Sequence, residues 1–71
     1  MYYYNDDEVL QEVEREAKRR RYLKDTLVQA SRRRDVENVE SILRQILAEI
    51  NRRVDNLRAL AYKAIEWFKN L

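Results

Sequence analysis

Apolar side chains recur along this chain at the spacing of a helix face, in two stretches separated by a polar gap. In the first, Val9, Leu10, Val13, Ala17, Leu23, Leu27, Val28 and Ala30 mark out a drifting stripe. The run "KRRR" at 18–21 interrupts it, with Arg20 near its middle. The second stretch is more regular. One heptad set holds Val36, Leu43, Ile50, Leu57, Ala64 and Leu71, and the set three residues later holds Val39, Ile46, Arg53, Leu60 and Trp67. A third, beside the second, holds Leu47, Val54, Ala61 and Phe68. Such spacing predicts amphipathic helices, and a stripe this wide suits a helix that faces more than one neighbour.

The ends of these elements carry their own signals. Asn5 is a suitable N-cap, and Glu8 stands at capping-box spacing from it. Tyr4 and Val9 then take the two positions of a hydrophobic staple. Asp6, Asp7 and Glu8 favour the positive end of the helix dipole. From Ser31 to Asp35 there is no apolar residue, and Asp35 is a good N-cap for a helix starting at Val36. The pattern therefore predicts an all-α helical hairpin forming one domain over 1–71, with helix 1 over about 6–30, a turn at 31–35 and helix 2 over about 36–70. At 1.5 Å per residue the helices would run roughly 38 and 53 Å. The alternative is a three-helix bundle, with Asn51 ending a helix in the left-handed region and Asp55 capping the next. Against it, Ile50, Val54 and Leu57 continue the stripe in phase.

Folding back at 31–35 sets Leu27 near Val39, Leu23 near Leu43 and Leu10 near Leu57, with Tyr2, Tyr3 and Tyr4 beside Ala64, Trp67 and Phe68. Arg53, at a core position of the heptad, falls opposite Glu12 and Glu16. A buried charge needs a partner, so the expectation is a buried polar pair of Arg53 with Glu12 or Glu16, or an Arg53 that snorkels out to solvent. One shorter helix cannot cover the stripe of helix 2, which predicts self-association, as an antiparallel dimer forming a four-helix bundle. The expected core and association residues are Leu10, Val13, Leu27, Val39, Leu43, Ile46, Ile50, Leu57, Leu60 and Trp67. Charge is sorted in the same sense. Residues 18–52 hold ten basic and five acidic groups (+5), and the rest hold five basic and eight acidic (−3), so antiparallel packing brings unlike ends together.

Composition narrows the chemistry. The 71 residues include no Gly, Pro, Cys or His. Disulfides, ordinary zinc sites and Gly-rich phosphate loops are excluded by the missing residue types. No nucleophile–base pair or metal-ligand set stands out, so the expectation is a non-enzymatic protein with no cofactor, no metal and no small-molecule substrate. No apolar run approaches a membrane span and no signal-peptide pattern begins the chain, which points to a soluble cytoplasmic protein with no membrane partner. A charged fraction of 39%, with eleven Arg, also suits a thermostable protein.

The basic runs support a second function. Lys18, Arg19, Arg20, Arg21 and Lys24 surround Tyr22, and with Arg32, Arg33 and Arg34 they would form one basic end for DNA or RNA. Arg grips phosphate with two donors, and Tyr22 can stack on a base. The competing reading is a solvated helix face, with Glu14–Lys18 and Glu16–Arg20 paired one turn apart.

Three resemblances follow. "RRDVENVESIL" resembles the second helix of a small helical-hairpin protein of the large ribosomal subunit, which implies RNA contacts at Arg33 and Arg34. Glu37 and Glu40 stand where that family is basic or neutral. "LRQILAEINRRVD" resembles the death-promoting helix of pro-apoptotic proteins, with anchors at Val39, Leu43, Ile46 and Ile50. It departs at Leu47, where a small residue belongs, and at Ala48, where an Asp does. As a whole the chain resembles idealised helical-bundle proteins, including de novo designed ones. That is a likeness of style and implies structure rather than activity.

Overall fold

The computed structural model describes residues 5–71, so the expected staple from Tyr4 and the cluster of Tyr2, Tyr3 and Tyr4 lie outside the described residues. The described chain is all helical, but it has four helices rather than the two or three that the pattern suggests. They are α1 (Asp6–Arg19), α2 (Arg21–Arg32), α3 (Val36–Glu49) and α4 (Leu57–Phe68).

α1 begins where the sequence says. Asn5 Oδ1 accepts from the Asp7 N–H at 2.9 Å, and three acidic residues fill the first turn. The expected single helix over 6–30 then breaks at Arg20, whose backbone leaves the helical region (φ −119°, ψ 86°). Neither Pro nor Gly causes this. In a straight helix Arg20 would lie mid-stripe, facing the core as an unpaired charge, which is very costly. The break turns it outward, where its guanidinium meets Glu16 at 3.2 Å and Glu49 of α3 at 2.5 Å.

The first turn is tighter than 31–35, since Ser31 and Arg32 are helical and Ser31 is fully buried. α2 ends in a Schellman motif. Arg34 takes the left-handed conformation (φ 55°), and the N–H groups of Arg34 and Asp35 return to the carbonyls of Ser31 and Ala30. Asp35 also caps α3, its Oδ1 accepting from the Asn38 N–H at 3.3 Å. One residue closes one helix and opens the next.

Helix 2 over 36–70 is not continuous either. Asn51 takes the left-handed conformation (φ 59°), and the N–H groups of Arg52 and Asn51 return to Leu47 and Ala48. This is the turn of the three-helix alternative, but the next cap is Asn56 rather than Asp55, accepting from the Ala59 N–H at 3.1 Å. Asn tolerates the left-handed region better than most residues, so a turn without Gly forms here. The ion pairs Glu40–Arg58 (2.9 Å) and Arg34–Glu66 (3.1 Å) show α4 running back along α3.

α3 packs against each of the other three helices. It buries Val39, Ile42, Leu43, Ile46 and Leu47 over a wide arc. α1 contributes Val9, Leu10, Val13 and Ala17 to the shared core, α2 contributes Leu23, Leu27 and Ala30, and α4 contributes Leu60, Ala61, Ala64, Ile65 and Phe68. The broad stripe is thus covered by helices of the same chain, and its width alone requires no second copy. The Cα radius of gyration, 11.0 Å, is about what one compact body of this length gives. Among the described residues, no helix is long and apolar enough to cross a membrane.

Candidate functional site

Seven of the ten expected core residues are buried: Leu10, Val13, Leu27, Val39, Leu43, Ile46 and Leu60. Ile50, Leu57 and Trp67 are only partly buried and pack on the core's edge. The single fold-back that set Leu10 near Leu57 is not the architecture, because the chain also breaks at Arg20 and turns again at Asn51.

Arg53 is exposed, so the expected buried pair of Arg53 with Glu12 or Glu16 does not form. Its neighbour Arg52 takes the place, donating from Nε to Glu12 Oε2 at 3.1 Å and from Nη2 to the other carboxylate oxygen. The heptad count carried across the turn at Asn51 places Arg53 inward; the left-handed residue resets the phase and sends Arg52 inward instead. Glu16 is used by Arg19 and Arg20. Both expected pairs along α1 are present, Glu14–Lys18 at 2.8 Å and Glu16–Arg20 at 3.2 Å.

The expected single basic end is divided. "KRRR" lies across the junction of α1 and α2 and Arg32–Arg34 at the finish of α2, so a 12-residue helix separates them by roughly 18 Å. Most of these cations already have partners. Lys18 holds Glu14, Arg19 holds Glu16, Arg20 bridges Glu16 and Glu49, and Arg34 meets Glu66. Arg32 donates to the Lys69 carbonyl at 3.3 Å and to Leu71 at 2.8 Å, tying the end of α2 to the end of the chain. Of these basic-run residues, Arg21, Lys24 and Arg33 have neither an ion pair nor a backbone tether among the described residues, and Tyr22 is 77% exposed beside the first two.

Three of the carboxylates are held toward the charged form. The hydrogen bond from Arg52 holds the Glu12 carboxyl below its ordinary range. Hydrogen bonds from Lys18, then from the Trp67 indole, do the same for Glu14. Lys69, with Arg34 beside it, lowers Glu66. A general acid or base working near neutrality needs the opposite shift. Among the described residues, no group of three or more acidic, His or Cys side chains could hold a metal ion. Arg58 sits 2.9 Å from Glu40 Oε1 as an ion pair, though off the line that a hydrogen bond to that buried oxygen needs.

Three features were beyond sequence reading: the Arg52 clamp, the Trp67–Glu14 bond and the Arg32 tether. Each joins groups far apart in the chain, and only the position of Arg20 on the apolar stripe gave a local warning of a break. No family model matches this chain, and no curated protein or solved structure matches it either.

Proposed function

We propose that this protein is a non-enzymatic structural or protein-interaction module whose partner is a second copy of itself. The observation that carries the reading is how its charges are used. Arg20–Glu49, Arg52–Glu12, Arg34–Glu66, Arg58–Glu40 and Lys63–Asp6 all join separate elements of the fold, so side chains that would otherwise grip phosphate or move protons hold helices together. The opposite charges of the two parts of the chain favour association in the same way. Light scattering coupled to size exclusion tests this at high micromolar concentration. The expected mass is near twice the 8.7 kDa of one chain and is unmoved by a short DNA duplex. A monomer throughout would sink the proposal.

A second reading, binding to DNA or RNA, is favoured by one patch, exposed Tyr22 between Arg21 and Lys24, while Arg33 stands apart at the far end of α2. It predicts a shift with the duplex at low salt that fades as salt rises. Reversing Arg21, Lys24 and Arg33 to Glu removes that shift and leaves the fold intact. Binding that survives the reversal rules this patch out.

A further inference from the structure

The break at Arg20 is a place where the local sequence and the fold disagree. Residues 18–24 contain no helix breaker, and no side chain caps the start of α2. The first bond of α2 runs from the Lys24 N–H to the Arg20 carbonyl, so the preceding N–H groups gain no helical partner. A continuous helix would supply those bonds. What holds the break is tertiary: Arg20 on Glu49, and the four apolar residues that α1 buries in the core it shares with α2, α3 and α4.

We infer that Arg20 is a hinge, and that α1 and α2 can straighten into one helix whose first half is exchanged between two copies of the chain. This rests on the self-association reading and supplies its geometry. A straight helix over 6–32 would be about 40 Å long by its 1.5 Å rise per residue. The longest extent of the whole molecule is 36 Å. Collinear with α2, a straightened α1 also leaves the side of α2 on which it now packs and cannot cover its own core. It exposes Val9, Leu10, Val13 and Ala17 and leaves a matching apolar face on α2, α3 and α4. The surface made to fit that face is another α1. Exchange rebuilds the apolar contacts of α1 between two chains, so the hinge, with its backbone and the Arg20 charge, and the concentration set the balance.

The hinge and the exchange are tested together. Arg20→Ala and Arg20→Gly both remove the pair with Glu49, so their difference isolates the backbone. Ala favours a helix interior over Gly by roughly five-fold per chain, and two hinges make the expected difference in dimer dissociation constant about twenty-five-fold, with Arg20→Ala the tighter. Equal constants overturn the hinge. Asp6 and Lys63 face each other at 3.6 Å on α1 and α4, and the chain has no cysteine. In Asp6→Cys/Lys63→Cys, a short bis-maleimide reagent links the two positions. Covalent dimers on a denaturing gel are the expected result for the associated protein. Links confined within single chains, in a protein that scatters as a dimer, overturn the exchange and leave self-association standing. A monomer in wild type and in Arg20→Ala overturns both.

Discussion

The indole Nε1 of Trp67 donates to Oε1 of Glu14 at 2.7 Å, joining the last turn of α4 to the middle of α1. The two residues lie far apart in sequence, and the bond exists because α4 doubles back at Asn51. A hydrogen bond to a charged group contributes more than a neutral one, but this one is half open to solvent. Trp67→Phe is expected to lower stability by about 1 kcal/mol in urea titration followed by circular dichroism. No change would mean that the bond is satisfied equally well by water.

Acid should loosen the fold through its paired carboxylates. Glu12, Glu14 and Glu66 all have folded values held below the ordinary range, with Arg52, Lys18 and Lys69 the leading causes. A depressed carboxylate adds stability above its unfolded value, and that stability is lost as pH falls through the folded one. The melting temperature is expected to be flat above about pH 5 and to drop below about pH 4.3, the ordinary glutamate value. Glu12→Gln should be less stable than wild type at neutral pH and show a shallower acid slope. An unchanged slope would remove Glu12 from the explanation.

Arg34 carries a Cβ in the left-handed region, where only Gly is at ease. Its pair with Glu66 is exposed and contributes little. Arg34→Gly is therefore expected to stabilise the protein by about 0.5–1 kcal/mol, or a few degrees in melting temperature. Arg34→Ala loses the pair without relieving the backbone and should not be more stable than wild type. Asn51→Gly should gain less than Arg34→Gly, because Asn accepts this conformation more readily.

Ser31 is wholly buried near the end of α2, and its Oγ has no hydrogen-bond partner among the described residues. An unpaired buried hydroxyl is unfavourable, and alanine fills nearly the same space. Ser31→Ala is expected to raise stability by about 1 kcal/mol in chemical denaturation. A destabilised variant would mean that the hydroxyl finds a partner in solution.

Phe68 is the largest fully buried side chain, closing the core from the last residue of α4. Phe68→Ala should cost about 3–5 kcal/mol, enough to unfold most of a domain this small at room temperature. Thermal melting with and without a stabilising osmolyte would show it. A cooperative melt close to wild type would mean that α4 is not integral to the core.

The sequence by itself determined helicity, most of the apolar inward positions, the cap at Asn5, the turn closed by Asp35, and the Glu14–Lys18 and Glu16–Arg20 pairs. All of these rest on interactions within about one helical turn, where periodicity and capping chemistry decide. The turn at Asn51 was legible only as an alternative, because the apolar spacing of the sequence runs on through Ile50, Val54 and Leu57 although the helix does not. Tertiary structure decided the rest. Burial breaks the first helix at Arg20, since a lone charge cannot stay in the core and Glu49 becomes its partner only after the chain folds. The left-handed Asn51 shifts the inward position from Arg53 to Arg52. The return of α4 covers the face of α3 that the pattern alone left for a second chain. A local pattern records which side of a helix is apolar; it does not record what covers that side.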